Sequence, residues 1–70
     1  MTLEEFKIEV LPIKNKLYRF ALRMLTSRDE AEDIVQDTMM RLWSKRAKLQ
    51  TYRSIEAFAM VITKICAWIN

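Results

Sequence analysis

Apolar residues recur along this chain at three- and four-residue steps, in three runs parted by short polar breaks. The first run holds Leu3, Phe6, Val10, Ile13, Leu17, Phe20/Ala21 and Met24, one stripe of a helix over residues 3–25. Thr2 and Glu5 stand at capping-box spacing before it. Pro12 lies inside the run, where it removes a backbone bond to the carbonyl of Ile8 and should bend the helix. The stripe keeps its phase across Pro12, which favours one kinked helix over two separate ones. The second run follows Ser27, an N-cap with Glu30 at capping-box distance, and predicts a helix over 28–46. Ala31, Ile34, Val35, Thr38 and Leu42 share its inner face. Asp29, Glu30, Glu32 and Asp33 fill its first turns, and basic residues stand at its end near Lys45 to Ala47, both as the helix dipole favours. The third run opens at the N-cap Ser54 and carries Ile55, Phe58, Ala59, Ile62, Ile65, Cys66 and Ile69, a helix over 55–69. The intervening residues Lys48 to Arg53 show no period and read as a loop of ordinary length.

The expected fold class is all-α: a small three-helix bundle with a Pro-kinked first helix, one domain over 1–70. The lack of Gly and the single Pro argue against the turns of an all-β fold. Burying about ten large side chains, each worth roughly 1.5–3 kcal/mol, offsets the ordering entropy only narrowly. That balance points to a partner or to further chain. Ile69, the last stripe residue, has no C-cap signal behind it, so the third helix reads as cut.

Composition then removes whole classes of chemistry. With no Gly, phosphate-cradling glycine loops are excluded, and with no His, so are imidazole bases and imidazole metal ligands. One Cys makes no internal disulfide and suits a reducing, cytoplasmic setting. No secretory signal pattern opens the chain, because Glu4, Glu5 and Lys7 interrupt it. The apolar run Ala57 to Ile69 is too short for a membrane span and contains Lys64. No nucleophile–base pair, cofactor motif or metal set is visible. Asp29, Asp33 and Asp37, at four-residue steps on one helix, supply too few converging oxygens for a hard cation. An enzyme is not expected.

Charge is what remains. Residues 29–37 hold five acids and no base, whereas residues 41–53 hold Arg41, Lys45, Arg46, Lys48 and Arg53 and no acid. The net charge of +3 leans toward a polyanionic partner. Two surfaces follow. On the outward face of the second helix stand Asp33, Gln36, Asp37 and Met40, with Trp43 at the flank. Carboxylates alone describe a solvated face; Met40 and Trp43 beside them equally describe a binding surface. In the basic stretch, Tyr52 among cations suits single-stranded nucleic acid, where bases stack on rings and phosphates meet Lys and Arg. An ordinary basic surface has the same composition. A third face, Ala57, Met60, Val61, Lys64 and Trp68 on the last helix, is too apolar for free water. It could meet the first helix, absent chain or a second copy.

Two strings sharpen this picture. LYRFALRML followed by SRDEAEDIVQDTMMRLW resembles region two of bacterial sigma factors of the extracytoplasmic-function (ECF) type. The most specific part is Ala31-Glu32-Asp33-Ile34-Val35-Gln36-Asp37-Thr38, with Leu42-Trp43 after it. SIEAFAMVITK looks like that family's third conserved helix. The resemblance implies a transcription initiation domain. Asp33, Gln36, Asp37, Met40 and Trp43 would bind core RNA polymerase, on the coiled coil of its β′ subunit. The loop before the third helix would capture a base flipped from the promoter's −10 element, read as single-stranded non-template DNA. Lys48, Gln50, Thr51, Tyr52, Arg53 and Ser54 occupy that loop, and Lys45, Arg46, Arg53 and Lys64 would hold the strand's backbone. An anti-sigma factor is a further implied partner; a cofactor or metal is not. The chain departs from the pattern at Ile65, where the family usually has Asn, and in the residues through Asn70. The resemblance therefore leaves promoter contacts from the end of the helix open. A −35-reading domain is expected to be absent, leaving either an excised domain or a truncated product. The alternative function is a sigma-like interaction module that binds polymerase or an anti-sigma partner without reading DNA.

Overall fold

The computed structural model describes residues 1–69; Asn70 lies outside the described residues. Helix α1 spans Leu3–Met24 and opens on the predicted capping box. The Glu5 amide donates to Thr2 Oγ1 at 3.2 Å, and the Thr2 amide donates to Glu5 Oε1 at 3.3 Å. The helix runs through Pro12 as one element. Ile8 and Pro12 are both exposed, so the carbonyl that Pro12 leaves unpaired faces water rather than the core. Phe6, Val10, Leu17 and Ala21 form its buried stripe.

Helix α2 spans Arg28–Ser44, and all five predicted inner residues, Ala31, Ile34, Val35, Thr38 and Leu42, are buried. Ser27 caps it by accepting from the Glu30 amide at 3.4 Å; among the described residues the return bond from Glu30 does not form. The helix stops two residues short of the expected 46. Lys45 leaves helical geometry at φ −101°, ψ 15°, and a short helix α3 then runs Arg46–Leu49. Part of the expected loop is thus helical, and the expected three helices are four. The cause is Leu49, which is wholly buried and draws this turn onto the core. A single apolar residue among polar neighbours leaves no period to read. The irregular connection shortens to 50–54.

Helix α4 spans Ile55–Ile69, capped by Ser54 Oγ, which accepts from the Ala57 amide at 3.1 Å. Its inner face is rotated from the predicted one. Ala59, Ile62, Thr63, Cys66 and Ala67 are buried, whereas Ile65 and Ile69 are 43% and 73% exposed. Small residues here let α4 approach closely, and the longer Ile side chains fall on the flank. Helices α1, α2 and α4 each pack on the other two. Between α2 and α4, Thr38 and Thr63 meet in the core with their hydroxyl oxygens 3.3 Å apart. Thr38 Oγ1 donates to the Ile34 carbonyl at 2.8 Å, and Thr63 Oγ1 lies 2.9 Å from the Ala59 carbonyl, so neither buried hydroxyl is orphaned. Lys16 and Glu56 join α1 to α4 at 3.0 Å on the surface. Among the described residues no helix is long and apolar enough to cross a membrane.

Candidate functional site

The outward side of α2 is divided by its two neighbours. Its inner face is fixed by five buried residues, so the side chains one half-turn away must leave the bundle. Asp33, Gln36 and Met40 are exposed, Met40 by 69%. Asp33 makes no ion pair and no hydrogen bond among the described residues. On the flank toward α1, Gln36 and Glu32 line an open hollow of about 320 Å³ with Lys14, Asn15 and Tyr18.

The flank toward α4 is different. Asp37 is half-buried, and its Oδ2 is already engaged. Arg41 Nε donates to it at 3.3 Å and the Cys66 thiol at 3.2 Å. Burial first, and Asp37 second, push the Cys66 thiol above its ordinary pKa, so it remains protonated and a donor at neutral pH. Trp43 is also engaged. It is half-buried, stands edge-on to Phe6 of α1 at 5.1 Å and 82°, and carries Arg46 stacked 4.1 Å above its ring. Arg46 Nη1 donates to the Trp43 carbonyl at 3.0 Å, which closes the end of α2.

The basic segment does not form one stripe. Lys45 and Tyr52 come together in a groove of about 490 Å³ between α2 and α4, lined also by Arg41, Ser44, Phe58, Val61, Ile62 and Ile65. No acid lines it. Tyr52 lies over Phe58 with ring centroids 4.5 Å apart, an aromatic floor beside two cations. On the other side of Tyr52, Gln50, Arg53 and Ser54 line a hollow of about 470 Å³ with Glu5, Glu9 and Glu56. Lys48 and Thr51 line neither. Their turn is held by Thr51 Oγ1, which donates to the Lys48 carbonyl at 2.6 Å. Lys64 is apart from both, 4.9 Å from the ring of the exposed Trp68. Of the last apolar face, Ala57, Val61 and Trp68 are exposed, while Met60 packs partly onto the core. Sequence reasoning gave no site role to Arg41 or to Phe58 as the partner of Tyr52. The four-residue step from Asp37 to Arg41 and the aromatic pair across the loop were the signals available. Among the described residues, no group of three His, Cys, Asp or Glu gathers as a metal site would.

An acidic–amide face and an aromatic groove with no acid in its lining thus stand as two separate surfaces on a small helical scaffold. Residues 10–66 match the family model for Sigma-70 region 2, more than half of the chain, and the chain belongs to that family. Region 2 is the part of a sigma factor that binds RNA polymerase and recognises the −10 promoter element, a transcription-initiation domain rather than an enzyme family. The match runs from Val10 in α1 to Cys66 in α4 and includes both surfaces. No curated protein and no solved structure matches the chain.

Proposed function

We propose that the chain is an ECF-type region 2 that docks on the β′ coiled coil through the outer face of α2 and takes the non-template strand of the −10 element beside the 50–54 loop. The observation that carries the reading is the orientation of α2. Its five inner residues, four apolar and Thr38, are buried, which leaves Asp33, Gln36 and Met40 exposed together. An Arg of the coiled coil can pair with Asp33 and bond to Gln36, while Met40 covers the apolar part of the contact. Asp37 and Trp43 border this face. Both are already held within the molecule, Asp37 by Arg41 and Cys66 and Trp43 by Phe6 and Arg46, so they shape its edge.

The promoter strand belongs on the other surface. Tyr52 and Phe58 offer a flipped base a ring to stack on, and Lys45 offers its backbone a cation. Arg53, Lys48 and Lys64 stand outside the groove and add positive charge around it rather than one continuous path. Gln50, Thr51 and Ser54 supply polar groups at the loop. Arg46 contributes charge while its fork stays on Trp43. The partners are thus core polymerase and promoter DNA, with an anti-sigma protein able to mask the same faces, and the place of action is the cytoplasm.

The test is titration of the chain against a β′ coiled-coil fragment. Asp33→Arg is expected to weaken binding by about 2–5 kcal/mol if the pair is desolvated, and to leave helicity intact. Unchanged affinity rejects the docking face. Polymerase binding without salt-dependent binding of single-stranded DNA at low ionic strength would instead identify a module that competes for polymerase and reads no promoter.

A further inference from the structure

Arg41 stands where the two surfaces meet. One edge of its guanidinium is fixed, because Nε donates to Asp37 Oδ2 at 3.3 Å. Its Nη1 and Nη2 have no hydrogen-bond partner among the described residues, and the side chain borders the groove of Lys45, Tyr52 and Phe58. Asp37 is fixed in turn from α4 by the Cys66 thiol at 3.2 Å. The chain of contacts runs Cys66, Asp37, Arg41, groove. It ties a buried residue of α4 to the open fork of an arginine on α2.

We propose that Arg41 is a DNA-contacting residue of this groove and that Asp37 is the residue that positions it. The inference rests on the reading that the groove takes single-stranded DNA. Charge favours that occupant: two cations and no acid line the groove, whereas Glu5, Glu9 and Glu56 line the hollow across Tyr52 and would repel a phosphate there. An arginine already held at one edge loses less freedom when its other edge accepts a phosphate in a two-bonded fork. Both bonds fall on Asp37 Oδ2, so this one oxygen fixes Arg41 from α2 and is itself fixed from α4.

The experiment is fluorescence anisotropy of the whole chain with short, labelled, mixed-sequence single-stranded DNA across a salt series. Arg41→Gln is expected to weaken binding roughly tenfold and to reduce the slope of log affinity against log salt by about 0.7, the loss of one phosphate contact. Arg41→Lys keeps the charge and loses the fork, so it retains the slope and loses part of the affinity. Asp37→Asn is the decisive variant. It raises the net positive charge by one unit, which by general electrostatics tightens DNA binding. A positioning role requires the opposite, a loss of about threefold that disappears when Arg41 is already Gln. Tighter or unchanged binding by Asp37→Asn, or an unchanged salt slope for Arg41→Gln, overturns the inference. Lys45→Gln and Tyr52→Ala separate it from its premise. If both leave binding unaltered, the groove is not the DNA site. If both weaken it and Arg41→Gln does not, the groove stands and Arg41 has no part in it.

Discussion

Helices α2 and α4 lie against the same partner, α1, and against each other, yet they are oriented by different means. In α2, apolar and charged residues are segregated, so only one face can be buried without desolvating Asp or Glu. In α4, apolar residues occupy most of the circumference, and Val61, Ile65, Trp68 and Ile69 remain exposed. Hydrophobicity alone gives α4 several comparable ways to lie. Its actual orientation buries Ala59, Thr63 and Ala67, which are small enough for close helix approach, and it joins Thr63 to Thr38. One helix is thus turned by what must stay wet, the other by what is small enough to fit.

The sharpest way to break that contrast is to truncate one large residue on each helix. Leu42 of α2 is fully buried, so Leu42→Ala should cost about 3–4 kcal/mol. Ile65 of α4 is nearly half exposed, so Ile65→Ala should cost less than about 0.5–1 kcal/mol despite its place in the apolar stripe. Urea denaturation of the two variants measures both. Equal losses would mean that α4 buries Ile65 and that its described orientation is wrong.

The same contrast explains how far the sequence could be read. The inner face of α2 was fully legible, because Ala31, Ile34, Val35, Thr38 and Leu42 are bounded by charges on both sides. The face of α4 was not, because Ile65 and Ile69 keep the period as well as Thr63 and Ala67 do, and close packing is a property of the neighbour. Leu49 was illegible for a related reason: its burial depends on the core above it and not on its own surroundings in the chain. The exposure of Asp33, Gln36 and Met40 followed directly from the α2 pattern, whereas the internal contacts of Asp37 and Trp43 did not. The basic stretch did not resolve into a site, since Lys45, Arg46, Lys48, Arg53 and Lys64 go to different places once α3 and the loop are folded. What gathers them, or fails to, is the crossing of α2 and α4.

A smaller effect probes the polar contact between the two helices. Thr63→Val removes a buried hydroxyl, while the Thr38 hydroxyl keeps its bond to the Ile34 carbonyl. We expect a loss of about 1 kcal/mol or less. Thr38→Val made alone should cost a similar amount, and the double variant less than the sum, because two valines replace a matched polar pair by a matched apolar one. Denaturant midpoints of the four proteins close the cycle. Strict additivity would mean that the hydroxyls are neighbours without mutual influence, leaving the small side chains alone to orient α4.

The smallest effect belongs to the other α2–α4 contact, Cys66 to Asp37. Burial and the adjacent carboxylate raise the thiol's pKa above its ordinary value of 9.0, so the folded state holds that proton more tightly than the unfolded chain does. The folded state therefore binds more protons, and stability must fall as pH rises through this range. The thiol's contribution is complete below the unfolded value and is lost as pH climbs through the raised one. Wild type and Cys66→Ala, compared by urea midpoint from neutral pH upward, should differ by a constant amount until about pH 9 and then converge as the wild type alone weakens. Comparison with the alanine variant cancels the Lys and Tyr titrations that both proteins share. The same burial should make the native thiol slower to alkylate at neutral pH than the thiol of the urea-unfolded chain. A midpoint difference that persists unchanged above pH 9 would show a thiol free to ionise in the folded state. The Asp37 carboxylate would then have no fixed donor on α4, and the two helices would be joined on this flank by apolar contact alone.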